Sequence, residues 1–265
     1  MLTGSRFGFD NISIVDGVSL EWIDSAELNC GYGSLVYTFR TLSIFGLRAR
    51  SIALVIILFG VKEIVGDSTS EFKFLEGMRE VLRGRYLFLL GIVAVFSLGA
   101  FNFSFILLNA REMGVGDALI PVVYAVVNVT HTVIAIPAGG LADRIGKERV
   151  LALGYGAFLV TTLLLSSLPS LVSSAYLIAA VFGLYMGMTE TVQRALIPGY
   201  VDSGLKGTAY GVYYLVVGTC FFIANTVVGR LWEVQGLETS TLYSGALALI
   251  AILGMIVFTR SETKD

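Results

Sequence analysis

Six runs of about 20 mostly apolar residues, each the length needed to cross a bilayer as a helix, fill the last two thirds of this chain. They cover residues 86–108, 118–138, 150–168, 172–197, 207–228 and 241–259. Pro169 and Pro198 end the third and fourth. Backbone in hydrocarbon must satisfy its own hydrogen bonds, so such runs fold as helices. Composition agrees. Of 265 residues, 55% are hydrophobic and 14% charged, where a soluble domain carries roughly 25% charged residues. The fold class read from this is an all-α integral membrane protein with a six-helix transmembrane bundle.

Lysine and arginine set the expected orientation. If the turn at Asp143 is cytoplasmic, then Lys62, Lys73, Arg79, Arg83, Arg85, Arg144, Lys147, Arg149, Lys206, Arg260 and Lys264 all lie inside, and only Arg111 and Arg230 approach the other face. That asymmetry predicts a cytoplasmic C-terminus. Before the six runs, 51–61 is apolar but short, and lengthening it backward would draw Arg48 and Arg50 into the membrane. Each arginine would cost about 2.5–3.5 kcal/mol there. The expected organisation is an irregular or aberrant segment at 1–50, a partial transmembrane helix at 51–65, and a cytoplasmic amphipathic linker at 66–85. The six-helix bundle follows at 86–260, with a tail at 261–265. In the linker, Phe74, Leu75, Met78, Val81 and Leu82 recur at helical spacing between charged residues. That pattern fits a helix on the inner membrane surface or a solvated connection.

Net charge is −2, which argues against nucleic acid as a partner. Cys30 and Cys220 form no disulfide framework. There is no H-E-x-x-H, G-x-S-x-G or phosphate-binding loop. Gly114-Val115-Gly116-Asp117 has the G-x-G-D form of some intramembrane aspartyl proteases, but no span holds the second aspartate. Asp117 fits an N-cap instead. The expectation is a protein that is not an enzyme, with no cofactor and no metal.

The charged turn between the second and third runs reads Gly139-Gly140-Leu141-Ala142-Asp143-Arg144-Ile145-Gly146-Lys147-Glu148-Arg149. This G-x-L-A-D-R-x-G-K-x-R pattern resembles the signature loop of the major facilitator superfamily of secondary transporters. Glu148 departs from it, because the family usually has a basic residue there. Lys206-Gly207-Thr208-Ala209-Tyr210-Gly211 resembles the entry to the family's eleventh helix. The resemblance covers roughly residues 51–265. It implies the C-terminal half of a transporter that moves a small solute by alternating access, with the start of the chain truncated or aberrant. The alternative is a non-transporting membrane fragment, or a half that needs a partner chain or a second copy. Membrane lipids and a small-molecule substrate are the other expected partners.

The resemblance also implies a conformational gate of Gly139, Asp143, Arg144, Gly146, Lys147, Arg149 and Gly207, with Asp143 held at the start of the Gly207 helix. Glu190 and Arg194 lie one helical turn apart in the fourth run and can pair there. They read either as gating charges joining Asp143 and Arg149 or as a proton-coupling site. Asn102, Tyr124, Asn128, His131, Tyr210 and Tyr214 are candidate pathway residues. His131 is the sole histidine. Its imidazole suits exchange of a coupling proton or an interhelical hydrogen bond. Gly183/Gly187 and Gly207/Gly211 are G-x-x-x-G pairs that permit close helix approach.

Overall fold

The computed structural model describes residues 74–169 and 171–262. The expected segments at 1–50 and 51–65 lie outside the described residues, as do residues 66–73 of the expected linker at 66–85. Within the described part, a short helix α1 (Phe74–Val81) precedes seven longer ones. These are α2 (Gly84–Gly99), α3 (Phe103–Glu112), α4 (Ile120–Ile145), α5 (Lys147–Ser167), α6 (Val172–Leu196), α7 (Lys206–Gln235) and α8 (Leu237–Glu262). No strand occurs among the described residues.

Among the described residues, six segments are long and apolar enough to cross a membrane: Gly84–Glu112, Asp117–Ile145, Lys147–Ser167, Val172–Gly199, Ser203–Gln235 and Leu237–Ser261. All six expected spans are present, most of them a few residues longer than their apolar runs. The turns between them are short. Gly146 alone joins α4 to α5, at φ 98°, a backbone conformation that costs glycine little.

One expectation needs correction. The first apolar run is not a single helix, because Ala100–Asn102 leaves the helical path between α2 and α3. No proline marks the break. Asn102 is the N-cap of α3, and its side chain accepts from the Ser104 amide at 2.9 Å.

The bundle is held by packing, since lipid tails are as apolar as the side chains and supply no hydrophobic drive between helices. An aromatic cluster joins α2, α5 and α6. Phe96 stacks on Tyr155 with ring centres 3.8 Å apart, and Phe101 stacks on Phe182 at 5.9 Å. Phe158 touches Phe96, Phe101 and Tyr185. Hydroxyls within the spans bond back to their own helix. Thr161 donates to the Ala157 carbonyl, Thr189 to Tyr185 and Thr132 to Asn128. These bonds hide a polar group from hydrocarbon without a partner helix.

At the start of the bundle, α1 lies against α7. Val81 is buried, Met78 and Leu82 pack on the core, and Arg79 and Glu80 are exposed. Across the bundle, α4 packs chiefly on α6, while α7 packs on α2 and α8. Helices α4 and α7 therefore sit at the margins. Only 11% of the apolar window of the second span is buried and 22% of the fifth, against half or more of the first, third and fourth.

Candidate functional site

The G-x-x-x-G pair on α6 fixes how closely α4 approaches it. A Cβ on Gly183 would stand 2.5 Å from the Val127 carbonyl oxygen, and one on Gly187 would stand 2.7 Å from that of His131. The two backbones touch where these glycines lie. The other pair behaves differently, since Gly207 and Gly211 face open space.

This contact brings His131 beside Glu190. The imidazole Nε2 is 3.8 Å from Glu190 Oε2. Arg194 Nη2 approaches the same oxygen at 3.4 Å from one turn further along α6. One carboxylate oxygen thus lies between two nitrogen groups from two spans. His131 stands fourteen residues from either end of its span, at the middle of it. The surroundings come from other helices. The Tyr210 hydroxyl donates to the Arg194 carbonyl at 2.8 Å, and Gln193 donates to the Tyr155 hydroxyl at 3.1 Å. Tyr185 and Tyr213 lie within electrostatic range of Glu190.

The expected gate is only partly assembled. Glu190 and Arg194 pair, but neither joins Asp143 or Arg149. Asp143 and Arg144 are exposed in the last turn of α4, and Arg149 is exposed at the start of α5. Among the described residues, Asp143 has no hydrogen bond or ion pair with α7, and α4 makes no extended contact with that helix. A Cβ on Gly207 would meet nothing within 4 Å, and no hydrogen bond joins Asp143 to the start of α7 among the described residues. The reason is geometric. Helical side chains lean toward the N-terminus, which carries the Glu190 carboxylate back to the level of His131. Asp143 is twelve residues later on α4, about 18 Å along the axis at 1.5 Å per residue.

The signature turn grips the end of α6 instead. Lys147 Nζ donates to the Ala195 carbonyl at 3.1 Å, a cation on the carbonyl end of a helix. Glu148, the departure from the family pattern, accepts a 2.6 Å hydrogen bond from the Tyr200 hydroxyl. Gly139 meets α6 at Thr191 in ordinary contact. Asp117, expected as an N-cap, opens a short 3-10 turn and holds Arg111 through two contacts of 2.9 and 3.3 Å.

Of the candidate pathway residues, Asn102 and Tyr124 lie at the break in the first span, while His131 and Tyr210 lie at Glu190 and Arg194. The Asn102 amide donates to Asn225 Oδ1 of α7 at 3.0 Å, and Asn225 donates to the Phe221 carbonyl. Phe103 contacts the Tyr124 ring of α4 at 5.0 Å. The break is therefore seated between the two marginal helices. Asn128 folds back to donate to the Tyr124 carbonyl. Tyr214 is exposed, with its ring 6.4 Å from that of Tyr210.

The sequence model of the Major Facilitator Superfamily matches residues 30–224 and, in a second alignment, 87–265. The chain belongs to the Major Facilitator Superfamily. It is 29% identical over 254 residues to an uncharacterised MFS-type transporter of Methanocaldococcus jannaschii, covering 94% of this chain and 61% of that relative. It is 26% identical over 166 residues to uncharacterised proteins of Mycobacterium bovis and Mycobacterium tuberculosis, covering 62% of this chain and 40% of theirs. The chain thus spans about six tenths or less of the length of these curated relatives. As a superfamily member with six membrane-length apolar helices among the described residues it is a multi-pass membrane protein.

Sequence reading missed Tyr155, Tyr185 and Tyr200 as neighbours of the charged residues. Tyr200 follows Pro198-Gly199 in a short polar stretch, and only the meeting of α5 with the end of α6 reveals its partner.

Proposed function

We propose that this chain forms one six-span bundle, the C-terminal half, of a secondary transporter that moves a small solute by alternating access. In such proteins two bundles rock about a site near the midplane. The observation that carries this is the placement of polar residues on the two least buried spans. Tyr124, Asn128 and His131 lie on the second span and Tyr210, Tyr214 and Asn225 on the fifth. A polar group left unsatisfied in hydrocarbon costs several kcal/mol, so this side is suited to a second bundle and an aqueous path between the two. The broken first span supports the same reading, since irregular backbone at membrane depth belongs beside a cavity or a partner.

The second bundle is another half or another copy of this chain. The protein resides in the cell membrane with its C-terminus and the Asp143 turn cytoplasmic, where Arg144 and Arg149 meet anionic headgroups. It carries out no covalent chemistry on its cargo.

Purified chain reconstituted at high lipid dilution tests the reading. Uptake of small amphipathic solutes should rise more steeply than linearly with protein density. A Tyr214→Cys probe should crosslink between copies or to the partner half. Linear uptake by a species that never crosslinks would refute the two-bundle requirement. No uptake at any density, with or without a co-expressed partner half, would leave a fragment that does not transport.

A further inference from the structure

We infer that the first turn of α2 holds a zwitterionic aminophospholipid, with its headgroup in a charged pocket at the membrane surface and one acyl chain in the apolar groove between α2 and α8. The site shares no residue with the candidate pathway and does not depend on the transport reading.

Two adjoining cavities carry it. The first, of about 420 Å³, is lined by Glu80 of α1, by Arg83 and Arg85 at the start of α2, and by Tyr200 and Asp202 in the segment after α6. The second is an open groove of about 510 Å³, lined by Gly84, Phe88, Gly91 and Val95 of α2 and by Ile250 and Gly254 of α8. Gly84 stands between the two arginines in sequence, so the cavities meet within one helical turn. The Phe258 ring joins them too. It contacts Phe88 on the groove side at 5.7 Å and Tyr200 on the pocket side at 5.6 Å. The Arg85 guanidinium lies over its face at 5.1 Å. A lipid has the same order of parts, a charged head joined to an apolar chain.

Dimensions and charge name the ligand. The first span begins at Gly84, which sets Arg83 and Arg85 at headgroup level. From Gly84 to Val95 the groove follows α2 for about 16 Å at 1.5 Å per residue. One leaflet of a hydrocarbon core of about 30 Å is about 15 Å deep, so the groove takes one acyl chain. Basic pockets between spans bind lipid headgroups, and the guanidinium fork suits phosphate. Here two carboxylates border the same pocket and balance the two arginines. Among the described residues, Glu80, Arg83 and Asp202 form no salt bridge with one another. An anionic headgroup would leave both carboxylates facing negative charge. A headgroup carrying a phosphate and a primary ammonium matches both signs, phosphate to the arginines and ammonium to Glu80 or Asp202. A primary ammonium also donates hydrogen bonds, which a choline head cannot, so ethanolamine is favoured over choline.

Native mass spectrometry of the purified full chain, with dioleoyl lipids added singly, tests the site. Phosphatidylethanolamine should be retained about tenfold more tightly than phosphatidylcholine or phosphatidylglycerol, the worth of one charged hydrogen bond. Glycerophosphoethanolamine, the same headgroup without chains, should not displace it, which separates a lipid from a free phosphate compound. Arg83→Gln should lower retention by about tenfold for the same reason. Arg83 is exposed, so this variant is expected to fold. Glu80→Gln combined with Asp202→Asn should reverse the preference toward phosphatidylglycerol, a change that lost packing would not produce. Gly91→Leu starts from a Cβ that meets nothing within 4 Å, so it too is expected to fold. It should weaken all three lipids and keep their order. Equal retention of the three lipids, or a preference unchanged in the Glu80/Asp202 double variant, would overturn the site. So would a stable dimer that holds no lipid, since a second copy would then cover the groove.

Discussion

The Tyr200 hydroxyl donates to Glu148 at 2.6 Å across 52 residues of sequence, tying the first turn of α5 to the segment that follows α6. Glu148 is where this chain departs from the family's basic pattern, and the bond gives the departure a structural role. Lys147 secures the same end of α6 through the Ala195 carbonyl. A hydrogen bond to a charged group contributes about 1.5–3 kcal/mol. Tyr200→Phe and Glu148→Gln should each lower stability in detergent by about 1–2 kcal/mol. Together they should cost clearly less than their sum, because each removes the same bond. Additive losses in a double-mutant cycle would show that the two residues act separately.

The two G-x-x-x-G pairs should respond differently to one added methyl group. At Gly183 a Cβ would lie 2.5 Å from the Val127 carbonyl oxygen and 2.9 Å from the Thr130 Cβ. The backbone carbonyl cannot turn aside as a flexible side-chain end can. Gly183→Ala should therefore cost about 1–3 kcal/mol, the usual range for overpacking. Gly211→Ala meets nothing within 4 Å and should be neutral, or stabilising by up to about 1 kcal/mol through helix propensity. Thermal unfolding of the two variants in the same detergent compares them. Equal effects would mean that the α4–α6 approach is looser than described.

The spans and their number could be read from sequence because lipid imposes one rule, a long apolar run whose backbone bonds within itself. The pairing of Glu190 with Arg194 could be read because four-residue spacing is local. What could not be read depended on which helices meet. Nothing in the sequence placed Glu190 beside His131, 59 residues away, rather than beside Asp143. The lean of helical side chains and the Gly183/Gly187 contact decided that. The break at Ala100–Asn102 was hidden for another reason. Its residues are small or apolar, so the run stays continuous, and the hydrogen bond that makes the break tolerable comes from Asn225 on a distant span.

Asn225 is predicted to hold that break. Its Oδ1 is the acceptor for the Asn102 amide, which has left the helical hydrogen-bond ladder. Asn225→Leu leaves the amide without this partner and should cost about 1–3 kcal/mol, the desolvation penalty of an unpaired buried group. Asn102→Ala removes the cap on Ser104 instead and should cost about 1 kcal/mol. Hydrogen exchange separates the two. Asn225→Leu should speed exchange at the Asn102 amide, and Asn102→Ala should speed it at Ser104. Unchanged protection at Asn102 in Asn225→Leu would mean that water already serves this amide.

Orientation in the membrane provides the last prediction. Helix α5 has 21 residues, about 32 Å at 1.5 Å per residue, which matches a hydrocarbon core of about 30 Å. Ile145 and Leu171 flank this helix and must lie on opposite sides of the bilayer if it crosses. Arg144, Lys147 and Arg149 cluster at the Ile145 end, and no charged residue lies between Val150 and Leu171. The positive-inside bias then places Ile145 in the cytoplasm. In a background with Cys30 and Cys220 replaced by serine, Leu171→Cys should react with an impermeant maleimide added to intact cells. Ile145→Cys should react only after the membrane is opened. The reverse pattern would invert the topology. Equal labelling of both probes from outside would show that α5 does not span the bilayer.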